Sequence, residues 1–333
     1  MAYTIHIITG LFLGVSVAGW APIPALTVLG AASLTITMLV FIPRSGFDPP
    51  MGAFLPILVG VSVGQILGLG WRYPLETAGV VAAIALALFI FIGVRHVTLR
   101  RRRRVHPITS AADSRRRPEE KGHGHPPLYV LAVLGSGGHT KEMLLMMGND
   151  FRESEQSHRR YLVTKGDELS LKQAEAFERS LKKIREHPGT YDIHMATRAR
   201  RVHQSLFTTP VSALRSVLDI FPILLTRPRQ VTPGSPFYLP DVVFTNGPAT
   251  GFFVGLVAHM LKVFCIVPEY KMQVLFIESW ARVSSLSLTG KLFYYTGIAD
   301  MFLVQHESVA NIYGVMNAGW LVLDPSLRHR HVS

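Results

Sequence analysis

The stretch L-Y-V-L-A-V-L-G-S-G-G-H-T, Leu128 to Thr140, decides how the rest of the chain reads. Leu128 to Leu134 is an apolar run of strand length. It passes directly into Gly135-Ser136-Gly137-Gly138-His139-Thr140, and helical periodicity follows over Lys141 to Met147. A strand, a glycine turn and a helix form the opening unit of a parallel α/β sheet. Glycines permit a tight turn and close approach of backbone to a ligand, and the free N–H groups at the helix start favour phosphate or another anion. Two other readings stay open. The glycines can serve only the strand-to-helix turn, or they can belong to a dinucleotide site. Against the latter, the spacing is G-x-G-G rather than G-x-G-x-x-G. The second strand also ends in Thr164-Lys165-Gly166 before Asp167, with no acid closing it.

Onward from this unit, short apolar runs alternate with amphipathic stretches. Strands are expected at Leu128–Leu134, Arg160–Thr164, Tyr191–Ala196, Asp241–Thr245, either Val263–Ile266 or Val274–Ile277, and Met301–Val304. Helical periodicity fills Leu171–Ile184, Val211–Leu225, Ala249–Leu261 and Leu286–Tyr295. The alternation predicts one doubly wound, Rossmann-like parallel sheet over residues 128–333, with no length left for a second. Such a sheet takes its ligands at the carboxyl ends of its strands. Asn246 and Thr250, in D-V-V-F-T-N-G-P-A-T-G, are placed there, as are Glu278, Ser279 and Arg282 in E-S-W-A-R. Helix capping and surface ion pairing remain the plain alternatives for both groups.

Backward from Leu128 the composition changes. Of a net charge of +12 over 333 residues, residues 100–121 hold nine basic and three acidic side chains, about half the excess. Before them lie four apolar stretches of near-spanning length, Ile5–Ala21, Pro24–Ile42, Phe54–Trp71 and Thr77–Val94. The expected organisation is therefore a transmembrane region over 1–99 with about four spans, a basic flexible tether over 100–127, and the α/β domain over 128–333. The arginine run Arg100–Arg104 directly follows the last span, so the positive-inside rule predicts that everything after it stays cytosolic. A nucleic-acid or nuclear-signal reading of that run is the rival. The single cysteine, Cys265, excludes an internal disulfide framework and a cysteine-based zinc site.

The segments V-L-G-S-G-G-H-T-K-E-M (Val133–Met143), T-R-A-R-x-V-x-Q-S (Thr197–Ser205), D-V-V-F-T-N-G-P-A-T-G (Asp241–Gly251) and I-E-S-W-A-R-V-S-S-L-S-L-T-G-K-L-F-Y (Ile277–Tyr294) carry a resemblance covering nearly all of Leu128–Gln305. They resemble the membrane-anchoring subunit of the two-part N-acetylglucosaminyltransferase of dolichol-linked oligosaccharide synthesis. The resemblance implies a single half of a GT-B glycosyltransferase. A separate soluble catalytic subunit would carry the UDP-N-acetylglucosamine site, and N-acetylglucosaminyl-diphospho-dolichol would be the acceptor. It implies residence in the endoplasmic reticulum membrane, with the α/β domain cytosolic, and neither a cofactor, a metal nor nucleic acid as a ligand. In the matching motifs Gly135, Ser136, Gly137, Gly138 and Thr140 would face the acceptor diphosphate. His139 and Glu278 would support catalysis, and Asn246, Thr250, Ser279 and Arg282 would line the acceptor crevice. The chain differs from the family pattern in its extra spans, in an insertion over Val267–Gln273, and in its C-terminal stretch Ala310–Ser333. Two rival functions are a membrane scaffold whose α/β domain no longer binds ligand, and a self-sufficient membrane glycosyltransferase.

Overall fold

The computed structural model describes residues 74–105, 127–150, 157–198, 209–228, 237–247 and 249–319. The chain divides into two compact units, one of residues 1–99 with 262–267, the other of residues 100–261 with 268–333.

In the first unit the described chain is dominated by the helix α1 (Pro74–Val105), which continues through the arginine run and into the second unit. Its segment Val81–Arg103 is, among the described residues, the one helix long and apolar enough to cross a membrane. None of its apolar window is buried in the fold, which separates it from a core helix of a soluble protein. Leu86, Phe89, Ile90 and Val94 stand exposed along it. The other three expected spans, Ile5–Ala21, Pro24–Ile42 and Phe54–Trp71, lie outside the described residues. Arg95 donates to the carbonyls of Lys262 and Val263, at 3.1 and 3.3 Å.

The second unit holds a seven-stranded sheet in the order β3-β2-β1-β4-β5-β6-β7, parallel throughout. Its strands are β1 (Leu128–Val133), β2 (Ser157–Thr164), β3 (Thr190–Ala196), β4 (Val242–Thr245), β5 (Gln273–Ile277), β6 (Met301–Val304) and β7 (Met316–Asn317). Between them run α2 (Gly138–Asp150), α3 (Glu168–Ile184), α4 (Thr209–Leu225), α5 (Ala249–Val263), α6 (Leu288–Thr296) and α7 (Glu307–Tyr313). The strand order reverses between β1 and β4, the switch point of a doubly wound sheet. Alternate residues of β5 show both faces covered. Ile277 joins Met143, Met147 and Val130 in the cluster under α2, whereas Phe276 stacks on Phe293 of α6 at 4.7 Å and Val274 lies beside Gly255 of α5.

Three departures from the expected elements have physical causes. β2 begins at Ser157, three residues before the expected Arg160, because its polar start is internally paired. Arg159 makes a bidentate pair with Glu178 of α3, at 2.7 and 2.8 Å, and Tyr161 donates to the same carboxylate. On the opposite face Arg160 pairs with Asp192 of β3, at 2.9 and 2.6 Å, and donates to the carbonyls of Ile223 and Thr226 at the end of α4. Of the two candidates for the fifth strand, Val274–Ile277 is the strand, while α5 runs on to Val263 and the chain turns at Cys265, whose φ is +57°. The insertion Val267–Gln273 therefore leads into the amino end of β5, where Met272 donates to the Pro240 carbonyl. Glu278 follows the opposite end and keeps its backbone bond to Leu303.

Burial alone would raise the Asp192 pKa, but hydrogen bonds from His158, His194 and Arg160, with the Arg160 charge, hold it far below the usual range. A carboxyl depressed in the folded state contributes stability that is complete above its unfolded value of about 3.9 and is lost as pH falls through it toward the folded pKa. Removing one partner of a buried pair costs about 3–5 kcal/mol. Asp192→Ala is expected to lower thermal stability of the detergent-solubilised chain by that order at pH 7. The gap from wild type should shrink below pH 4, and a constant gap across pH would show that the ion pair is not its source.

Candidate functional site

The carboxyl ends of β1, β4, β5 and β6 converge on the start of α2. Gly135 is buried, and Ser136, Gly137 and Gly138 are exposed. Gly137 takes φ +65°, a conformation that favours glycine, and a Cβ at either Gly137 or Gly138 would meet nothing within 4 Å. The space over the loop is thus open to a ligand. The loop is fixed from beneath. Thr140 is fully buried, donates to the Gly135 carbonyl and lies 2.8 Å from the Ser170 hydroxyl, which also donates to Gly135. Thr140, expected to face the diphosphate, is turned into the fold and shapes the turn instead.

His139 sits where α2 begins. Asn246, at the end of β4, donates through Nδ2 to the His139 carbonyl at 2.9 Å. Gly247, at φ +119°, admits the imidazole, since a Cβ there would come within 2.9 Å of its Cε1. The ring is 38% exposed, and its Nδ1 is 3.8 Å from Glu142 Oε2, beyond hydrogen-bond length. Among the described residues, four buried side-chain atoms at this edge have no hydrogen-bond partner: His139 Nδ1, Thr245 Oγ1, Asn246 Oδ1 and Gln305 Oε1. Buried polar atoms are nearly always paired, so several unpaired ones gathered at a strand edge beside an exposed loop set this edge apart.

Glu142, one helical turn after His139, binds the two neighbouring strand ends together. Its Oε1 accepts from the Trp280 N–H at 2.6 Å and from Gln305 Nε2 at 2.8 Å, and its Oε2 accepts from the Ser279 hydroxyl at 2.9 Å. Neither Glu142 nor Gln305 stood out in the sequence as a site residue. The available signals were the i,i+3 spacing of Glu142 from His139 and the place of Gln305 directly after β6. Ser279 is brought to the site through Glu142. Thr250 is buried at the start of α5, and Arg282 is exposed.

Glu278 is 1% exposed and its carboxylate is occupied. It accepts from the Ser279 N–H, the Ser287 N–H and the Ser287 hydroxyl, at 3.1, 2.9 and 3.1 Å. Burial pushes its pKa up, against the lowering effect of those bonds and of the Arg282 charge. Its placement is that of a brace closing the Ser279–Ser287 loop. Gly290 makes room for it, since a Cβ there would lie 2.0 Å from Glu278 Oε2.

A doubly wound parallel sheet with a glycine loop at its switch point defines a Rossmann-like α/β domain. The profile described as "Oligosaccharide biosynthesis protein Alg14 like" matches residues 130–321. The chain belongs to this family. It is 34% identical over 185 residues to "UDP-N-acetylglucosamine transferase subunit alg14" of Schizosaccharomyces pombe, covering 56% of this chain and 79% of that one. To the Homo sapiens protein of the same description it is 32% identical over 190 residues, covering 56% and 79%. Among solved structures it is similar to MurG of Acinetobacter baumannii, at a TM-score of 0.34 and 16% identity, covering 55% of this chain and 43% of that one.

Glu142→Ala would strand three donors, two of them buried, each costing about 1–3 kcal/mol, whereas Glu142→Gln keeps acceptor capacity. The alanine variant is expected to melt well below wild type, with proteolysis accelerated between Trp280 and Ser285, and the glutamine variant to fall between. Equal melting of all three would show that the carboxylate does not hold the edge.

Proposed function

We propose that this chain is the membrane-anchoring, acceptor-binding subunit of a two-chain N-acetylglucosaminyltransferase. It holds N-acetylglucosaminyl-diphospho-dolichol while a soluble catalytic subunit brings UDP-N-acetylglucosamine to the cytosolic face of the endoplasmic reticulum. The relatives described as UDP-N-acetylglucosamine transferase subunits support the reaction class and the status of a subunit. The observation that carries acceptor binding is the exposed Ser136–Gly138 loop with the unpartnered polar atoms of His139, Thr245, Asn246 and Gln305 around it.

In this reading the first N–H groups of α2 take the acceptor diphosphate, since a helix start offers unpaired donors and a partial positive charge. Asn246 and Gln305 hold free carbonyl oxygens buried beside the loop, and Thr245 Oγ1 faces Gly251 of α5. His139 stands at the loop end of the same edge, within the region the acceptor hydroxyl must reach. Glu278 acts at one remove, by holding the loop that carries Ser279 and Arg282. The helix Val81–Arg103 supplies the anchor, and the arginines at its end keep residues 128–333 cytosolic by the positive-inside rule.

Two outcomes test this. The purified full chain alone is expected to transfer no sugar, with activity appearing on addition of the catalytic subunit. In that complex Gly138→Val places a side chain into the open space over the loop. Losing one or two charge-assisted hydrogen bonds of about 1.5–3 kcal/mol each should cut the acceptor-dependent rate roughly ten-fold to several hundred-fold. A folded, partner-bound and fully active Gly138→Val enzyme would reduce the loop to a turn.

A further inference from the structure

Trp280 leaves a large aromatic ring open at the carboxyl edge of the sheet. It comes two residues after Glu278, just past the end of β5, and is 45% exposed. A tryptophan has much apolar surface to lose from water, so folding alone favours turning it inward. Here the backbone holds it outward instead. Its N–H donates to Glu142 Oε1 of α2 at 2.6 Å, and its carbonyl accepts from His306 Nε2, after β6, at 2.6 Å. The His306 imidazole also lies against the indole, with ring centroids 6.0 Å apart and planes inclined by 36°. The turn that follows is closed by the Arg282 N–H on the Ser279 carbonyl at 2.9 Å. Both backbone polar groups of Trp280 are thus fixed by side chains from two other elements, and the open part of its ring is preorganised.

The carboxylate beneath Trp280 sets its place in the site. Glu142 Oε1 takes the Trp280 N–H, while Oε2 lies 3.8 Å from His139 Nδ1. One carboxylate therefore separates Trp280 from His139, the residue that follows the exposed Ser136–Gly138 loop. The chemistry around the ring narrows the ligand. Trp280 to Ser285 are all exposed, and Arg282 carries their one charge, with no acid among them. An indole beside an anion-binding loop and a guanidinium suits a sugar ring joined to a phosphate. In the gluco configuration the hydroxyl and amide substituents are equatorial, so axial C–H groups give each face of the pyranose an apolar surface that packs on an aromatic ring.

We propose that Trp280 is the platform for the N-acetylglucosamine ring of the lipid-linked acceptor, which stacks one face on the indole while its diphosphate occupies the glycine loop. The inference rests on the acceptor-binding reading given above and adds the residue that recognises the sugar. Stacking gains nothing from a bare lipid diphosphate. Trp280 therefore makes the site select an acceptor that already bears its first sugar. A pyranose held by its face also keeps the equatorial hydroxyls at its rim free, where the donor must reach them.

The chain has four tryptophans, so replacing Trp20, Trp71 and Trp320 by Phe leaves Trp280 as the sole indole emitter. This full-length variant is titrated in detergent micelles, with calorimetry reporting binding and acrylamide quenching reporting the indole. Short-chain N-acetylglucosaminyl-diphospho-polyprenol should shield Trp280 from acrylamide, whereas diphospho-polyprenol without sugar should bind and leave quenching unchanged. Binding of the sugar-lipid without shielding, or equal shielding by the sugarless lipid or by UDP-N-acetylglucosamine, overturns the inference while acceptor binding stands. No heat with either diphospho-lipid overturns both. In the complex with the catalytic subunit, Trp280→Ala should raise the KM for the acceptor about ten-fold, and Trp280→Phe, which keeps a ring, by less. The inhibition constant of the sugarless diphospho-lipid should stay within about two-fold of wild type in both variants. A parallel loss of that inhibition, or equal losses in the two variants, would make Trp280 a brace of the edge and overturn the inference.

Discussion

The Glu142 carboxylate is the point at which the carboxyl edge of the sheet is tied together. α2 starts at the glycine loop, but the loop after β5 and the end of β6 reach it through this one group, by way of the Trp280 N–H, the Ser279 hydroxyl and Gln305 Nε2. Because Glu142 follows His139 by one helical turn, the group that fixes the far strands also fixes the register of the near loop. Every other feature of the edge is placed relative to that tie. Gly247 gives the imidazole its room, Asn246 holds the His139 carbonyl, and Glu278 closes the Ser279–Ser287 loop behind Ser279. The edge is braced by these internal bonds and is exposed over Ser136–Gly138 and over Trp280–Ser285.

A second set of constraints sits at the start of β2 and at the end of α1, where arginines are held by buried acids. Arg159 with Glu178 and Arg160 with Asp192 lock α3 and β3 to the sheet from opposite faces. Such pairs are weak evidence for net stability, since desolvation offsets much of the attraction, but removal of either member leaves a buried charge. Arg103 with Asp300 does the same for the turn after α6, and it joins the C-terminal half of the sheet to the residue that closes the apolar helix. The arginine run thus has a structural task within the fold. Arg102 pairs with Glu269 at the surface, and Arg103 is engaged by carbonyls and a carboxylate.

Much of the architecture was legible because it rests on local pattern. The passage from Leu128–Leu134 into glycines and then a helix identified the first unit, and the alternation of runs gave a parallel sheet. What was hidden depended on pairing across the sheet. Ser157–Arg159 looks like the end of a loop until Glu178, nineteen residues on from Arg159, is seen to neutralise it. α7 and β7 are too short, at seven and two residues, for periodicity to mark them. In the site, residue type was legible and direction was not. Thr140 and Glu278 have the chemistry of ligand-binding groups, yet both spend it on the backbone and side chains beneath the loop. Glu142 and Gln305 gained their place only from the approach of strands far apart in the chain.

Acceptor binding by this chain, rather than donor binding, is most directly tested by titrating the full-length protein alone in nanodiscs with each ligand in turn. N-acetylglucosaminyl-diphospho-polyprenol of short chain should bind with measurable heat, its monophosphate analogue much more weakly, and UDP-N-acetylglucosamine with little or none. Tight binding of the UDP-sugar together with no binding of the diphospho-lipid would contradict it.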